Sequence, residues 1–344
     1  SRSRLDAPTH QLTYERIRNS LLKDRPDGEL TPRQEQMARA IGWIGTATRI
    51  PTRLLLTEDE FFKQVAFRGQ LTADLAEEAI TKGLKGKQVD EYIAARMDEL
   101  IQGKDERLAE YLADVKGRMA TSSMGEDKVT RAAAAKLAGQ DLMEKNHCTA
   151  GAMECWSAVP ILGVPICMTL GEMADEGLPI SCETDINGAV TLAMLQAVTL
   201  GKESSFLADL TIRHPQNDNA ELLWHCGPFP YSLKDAGCQA RLVGGQERFE
   251  LKKGDITVCR FDDCDGKYYL FGGEGRAVEG PETNGTYVWF ETDNWKRWEE
   301  KLMFGPYIHH VGGIYGNYKP VLREAARYLG LIFDDAGEQG VYSL

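Results

Sequence analysis

Apolar positions recur every three to four residues through the second half of the first 150 residues. Ile93, Met97, Leu100 and Ile101 keep a helical spacing, and Leu108, Leu112, Val115 and Met119 continue it. An Ala-rich stretch over 131–143 predicts another helix. Residues 31–34, Thr-Pro-Arg-Gln, read as a helix start with Thr as N-cap and Pro at the first position. Two short apolar segments, 41–45 and 53–56, read as buried strands. The charges between these positions read as solvated helix faces.

From about residue 150 the pattern becomes one of continuous apolar runs. Residues 159–168 and 178–182 read as buried strands around a helix at 169–176. A helix at 189–200 and a strand at 205–210 follow. Such alternation predicts an α/β layer with a partly parallel sheet, whose sites lie at the carboxyl ends of strands. Beyond residue 238 the runs are short and punctuated. Strands are expected at 238–243, 248–251, 255–261, 267–271 and 286–291. The joining segments are 252–254, Asp265-Gly266 and Asn284-Gly285, while Gly272–Gly275 reads as turns. A small antiparallel barrel or sandwich is expected there, closed by a helix at 318–329 and a short tail. The fold class is therefore α/β with three parts. Residues 1–150 are a helix-rich segment, the remainder of an α/β domain. Residues 151–210 form a central parallel-type layer, and 211–344 a β-rich, barrel-like domain.

Composition changes this picture little. The chain has 344 residues, 42% of them hydrophobic and 27% charged. Its formal charge of −12 argues against nucleic acid or an anionic membrane as partner and suits a small neutral substrate. No apolar run approaches the roughly 20 residues that cross a bilayer, and no signal peptide is visible. All eight cysteines lie between Cys148 and Cys264 without a Cys-x-x-Cys pair, so reduced thiols in a cytoplasmic setting are expected. Cys259 and Cys264 could join His225 and Cys226 as ligands. Their spacing across an expected hairpin favours buried thiols instead.

Chemistry concentrates at Glu183, which closes the long apolar stretch within Cys-Glu-Thr-Asp-Ile-Asn-Gly-Ala (182–189). A carboxylate there is costly without a cation or catalytic work. Asp209 closes a second apolar run, and the pair His309-His310 sits between glycines in an expected loop. Two carboxylates and an imidazole make a candidate divalent-metal site, with the imidazole favouring Mn²⁺. The alternative is that both acids cap helices or accept backbone hydrogen bonds. Asp185 reads as a helix cap or a supporting partner, and Glu172 as structural. His225-Cys226 has the character of the His309-His310 pair, whereas His10, His147 and His214 have no supporting context. Tyr287, Trp289, Phe290, Trp295 and Trp298 read as packing, with a possible role in stacking on a sugar. No phosphate-binding loop or nucleophile elbow is present.

Residues 156–200, centred on the Gly171–Ala189 segment, resemble the L-fucose isomerase-like family, which shares its broader fold with L-arabinose isomerases. Phe206-Leu-Ala-Asp209 and the Gly305–Gly313 segment match in the same order. The resemblance covers about 150–344 and is thin before that. It implies a Mn²⁺-dependent (or other divalent-cation) aldose–ketose isomerase working through a cis-enediol. Glu183 and Asp209 would then be both ligands and acid/base groups, and His310 the third ligand. His309 and Cys226 would contact the sugar, with Cys226 standing where fucose isomerases carry a serine; Trp289 joins them only as an aromatic ring able to stack on a sugar. A closed homo-oligomer, a hexamer in the family, is also implied. So is an N-terminal α/β domain, which is not recognisable as a whole in a chain that begins without methionine. The competing expectation is an inactive sugar-binding or assembly protein of the same fold. A weaker one is another metal-assisted enediolate enzyme, such as an aldolase.

Overall fold

A computed structural model describes residues 86–339 except 147 and 265. The expected elements at 31–34, 41–45 and 53–56, together with His10, His147 and Asp265, lie outside the described residues.

Three helices come first: α1 (Gly86–Gln102), α2 (Glu106–Arg118) and α3 (Glu126–Lys145). Asp105 caps α2 by accepting the Arg107 N–H, which satisfies one of the free donors of the first turn. Ile93, Met97, Leu100, Leu108 and Val115 are buried, as their spacing predicts. Then follow β1 (Gly151–Ala152), α4 (Cys155–Leu162), α5 (Cys167–Asp175), β2 (Ile180–Ser181) and α6 (Ile186–Val198).

The central parallel layer is a correction. Only β1 and β2 pair in parallel there, over two residues each, and the expected strand at 159–168 is the end of α4, a break at Gly163 and the start of α5. Pieces this short show no helical period in the sequence, whereas α5 itself lies where a helix is expected. The expected strand at 205–210 exists as part of β3, but it belongs to the barrel.

The barrel has six antiparallel strands: β3 (Phe206–His214), β4 (Asn217–His225), β9 (Thr286–Glu291), β8 (Lys267–Val278), β7 (Asp255–Cys264) and β10 (His310–Tyr315). They pair in that order and close, because β10 pairs with both β7 and β3. Closure leaves no free edge among the six. β5 (Arg241–Val243) pairs with β6 (Gln246–Glu250), which joins β9 in parallel, and β11 (Ile332–Asp335) joins β8 in parallel. Helices α7 (Trp295–Phe304) and α8 (Lys319–Leu329) complete the described chain.

Gly272–Gly275 is strand rather than turn. A Cβ on Gly273 would lie 2.2 Å from the Trp298 ring of α7, and one on Gly275 would lie 2.2 Å from the Glu291 carbonyl. These glycines admit neighbours that any side chain would exclude. Cys259 and Cys264 both lie within β7 and do not straddle a turn. The Gly-bounded segment carrying the two histidines is irregular as far as His309 and becomes strand at His310. On its outer face Gly312 brings α6 close, since a Cβ there would lie 2.7 Å from Leu195 and 2.8 Å from Thr191. Met194, Leu195 and Val198 of α6 then pack with Leu322, Ala325 and Leu329 of α8 over Cys259, Phe261, Leu270 and Ile314.

Glu247 of β6 is fully buried where the helices meet the barrel, and neither carboxylate oxygen has a hydrogen-bond partner. Burial, then the nearby Glu172 charge, pushes its carboxyl well above the ordinary 4.5. A raised folded-state value means stability is complete below about 4.5 and falls as pH rises towards the folded-state value. The melting temperature of the chain should therefore decline with pH above 4.5 more steeply than that of Glu247→Gln, as followed by circular dichroism. Parallel curves would show that Glu247 ionises without cost.

Candidate functional site

The described structure joins Glu183, Asp209, His309 and His310 at one place on the outer barrel face, beside the N-terminus of α6. Asp209 and His310 are opposite one another on β3 and β10, so both side chains leave the sheet on the same face. Glu183 arrives from the turn between β2 and α6. The His310 Nε2 atom lies 3.3 Å from Glu183 Oε2 and 3.3 Å from Asp209 Oδ1. His309 Nε2 is 3.7 Å from Asp209 Oδ1, with its ring mostly in solvent. Asp209, His309 and His310 offer ligand atoms within 4.8 Å of one another.

Asp185 fixes this arrangement. It caps α6 through the Gly188 N–H at 2.8 Å and accepts the His310 Nδ1–H at 2.9 Å. Arg260 of β7 reaches the same carboxylate at 2.5 and 3.1 Å and holds Asp262 at 3.0 Å. Burial pushes the Asp185 carboxyl up, but the bonds from His310 and Arg260 outweigh it and hold the group well below the usual carboxylate range. An ionised carboxylate only accepts, so His310 carries a proton on Nδ1. Its Nε2 is therefore aimed at the two carboxylate oxygens. Asp209 Oδ1 and His310 Nε2 are buried with no hydrogen-bond partner.

His310 Nε2, Asp209 and His309 form a compact set of ligand atoms, and Glu183 Oε2 reaches the same His310 nitrogen from beside that set. That set fits a divalent cation of Mn²⁺ or Mg²⁺ type, with an outer carboxylate orienting the imidazole. The turn that delivers Glu183 is strained, with Glu183 and Thr184 both left-handed at φ 58° and 54°. Such conformations cost about 1–3 kcal/mol each and cluster at functional sites.

The remaining candidates are placed separately. Cys226 follows the end of β4, where its N–H donates to His225 Nδ1 at 2.9 Å, and the His225 and His310 rings are 6.4 Å apart. Trp289 is not brought to the carboxylates. It packs with Leu222 and Tyr287 and donates its indole N–H to the Pro281 carbonyl. Glu172 pairs with Arg118 at 2.8 Å, away from this cluster. Arg260 was not legible as a site residue, since a lone Arg inside an apolar strand carries no motif. Only the cost of burying its charge marks it.

Residues 242–335 match the family "L-fucose isomerase, C-terminal domain". His310 lies inside that match, and Glu183 and Asp209 lie before it. A sulfoquinovose isomerase of Priestia megaterium is 32% identical over 191 residues, covering 52% of this chain and 42% of the relative. Those of Alkalicoccus urumqiensis and Clostridium sp. are 29% identical over 218 residues (60% of this chain, 48% of the relative) and 28% identical over 204 residues (56% and 45%). The chain spans about half the length of the curated relatives it matches. The match at 242–335 is to the family that the motifs resemble.

Asp185→Ala should lower the unfolding free energy by about 3 kcal/mol, because it leaves the buried Arg260 with Asp262 alone and removes a helix cap. Urea denaturation measures this, and a loss below about 0.5 kcal/mol, the scale of a plain surface change, would refute the role given to Asp185.

Proposed function

We propose that the chain is part of a metal-dependent aldose–ketose isomerase acting on an open-chain sugar, with sulfoquinovose the first candidate suggested by the relatives' names. The observation that carries this is that Asp209 Oδ1 and His310 Nε2 are buried without a hydrogen-bond partner beside His309, with Glu183 Oε2 3.3 Å from the same His310 nitrogen. Glu183, Asp209 and His310 would hold the cation. The chemistry that a divalent cation supplies there is neutralisation of the two carboxylates and polarisation of a sugar carbonyl.

The chain's own groups then do the proton work. One carboxylate takes the proton from C2 and returns it to C1, and the other moves the hydroxyl proton between O2 and O1, through a cis-enediol. Glu183 is suited to a mobile role because its side chain is 41% exposed, whereas Asp209, at 14%, is fixed in a barrel strand. His310 is held by Asp185, which keeps the proton on Nδ1. His309 stands exposed at the same edge, where it can donate to a sugar hydroxyl. Cys226, near His225, is the adjoining candidate for sugar contact.

Purified protein loaded with Mn²⁺ and given sulfoquinovose, L-fucose or L-arabinose in deuterated water should incorporate deuterium at C1 or C2 of one of them. Glu183→Gln and Asp209→Asn should each lower kcat by at least about 10²-fold. Sugar binding without any exchange would instead support a non-catalytic binding protein.

Metal analysis gives an independent check. Chelation should abolish turnover and Mn²⁺ restore it, and His310→Ala should lose the bound metal. Full turnover in the chelated protein would rule out the metal-dependent reading.

A further inference from the structure

Three sulfur atoms form a line beside this site. Cys155 is the first residue of α4, Cys167 the first of α5, and Cys226 follows the end of β4. The Cys155 and Cys167 Sγ atoms are 3.8 Å apart, and Cys167 and Cys226 Sγ are 3.6 Å apart. All three are free thiols, the first two buried and Cys226 partly open.

The line is not a ligand triangle. Among the described residues only Asp209, His309 and His310 bring three ligand atoms within 4.8 Å of one another. A row of thiols at S–H···S distance suits sulfur–sulfur chemistry better than coordination. The environment sorts the members by reactivity. The Cys167 thiol beside Cys226 is the main influence holding Cys226 below the ordinary thiol range, while Cys167 itself is pushed well above it. Cys155 is held below that range by the same Cys167 thiol but is buried, so Cys226 is the accessible one of the two lowered thiols.

We propose that Cys226 is a redox-reactive thiol that a hydroperoxide oxidises, and that Cys167 resolves it by closing a disulfide between the start of α5 and the end of β4. The Cys226 sulfur attacks one peroxide oxygen, an S–O bond forms, the O–O bond breaks, and the departing hydroxide is protonated to water. The Cys167 sulfur then attacks the Cys226 sulfur. The S–S bond forms, the S–O bond breaks, and a second water leaves with the Cys167 proton. The two sulfurs lose two electrons in total, and hydrogen peroxide gains them. Closure needs an approach of about 1.5 Å, from 3.6 Å to the normal S–S length, within reach of side-chain rotation.

The consequence for the site follows from position and rests on the isomerase reading above. Cys226 donates its N–H to His225, whose ring is 6.4 Å from that of His310. Drawing Cys226 towards α5 displaces the wall of the site nearest the metal-binding imidazole. It also consumes the side chain best placed there for sugar contact. Oxidation therefore switches turnover off and reduction restores it.

The test is peptide mapping of the full chain after treatment with one equivalent of hydrogen peroxide and alkylation of the remaining thiols. A Cys167–Cys226 crosslink that disappears with dithiothreitol is expected. In Cys167→Ser the crosslink should be absent and Cys226 should be trapped as a sulfenic acid by dimedone, whereas Cys155→Ser should still crosslink. Before oxidation, iodoacetamide should label Cys226 at least about tenfold faster than Cys238, whose thiol donates to the Asp235 and Glu250 carbonyls. A Cys226 that stays fully alkylatable after peroxide overturns the proposal, as does a crosslink between Cys155 and Cys167 with Cys226 reduced. Loss of turnover should follow the crosslinked fraction, and unchanged turnover in the crosslinked chain overturns the coupling to the site. Because mapping needs no substrate, a chain that isomerises no sugar still gives a decisive result.

Discussion

The arrangement depends on one buried carboxylate. Asp185 caps α6, receives Arg260 from β7 and holds His310 of β10 through Nδ1. Helix layer and barrel are thus joined by a charged contact, reinforced where Thr191 of α6 accepts the Phe261 N–H of β7 at 2.9 Å. A buried ion pair of this kind contributes little net stability compared with an apolar replacement, but losing one partner is costly. Its value here is geometric. With Asp185 ionised and four donor atoms around it, His310 has one tautomer on the Asp185 side and one direction left for Nε2.

Much of this could be read from the chain. The barrel was legible because its short apolar runs are separated by Lys-Lys-Gly, Asp-Gly and Asn-Gly turns. Glu183, Asp209 and His310 were legible as acids and an imidazole closing apolar runs, and the structure places the three together. What failed has local causes. Residues 159–168 were misread because two short helices broken at Gly163 show no helical period, and Gly272–Gly275 because its glycines make room for Trp298 and the Glu291 carbonyl rather than for a turn. The second half of β10 was misread similarly, since Gly312 and Gly313 suggest a loop until the neighbours that need their space are known. Trp289 was read first as packing, and it does pack with Leu222 and Tyr287 and bond the Pro281 carbonyl. Arg260 was invisible because its partner lies 75 positions away.

The turn that carries Glu183 shows how the site is held. Glu183 and Thr184 are consecutive left-handed residues, and neither is glycine, so the turn stores about 2–6 kcal/mol in all. Asp185 immediately follows in extended backbone, as an N-cap requires. The chain must therefore reverse within two residues between Cys182 and the cap. A gentler turn would place Asp185 away from Arg260 or leave Glu183 short of His310. The Asp185 contacts, made by the residue next to the strain, offset its cost. Glycine at 183 or 184 would relax the turn, but at 183 it would remove the carboxylate. The tension is thus tied to the presence of an acid at a position whose backbone favours glycine. That conflict between local preference and observed residue supports a working role for the Glu183 side chain on grounds separate from any family likeness.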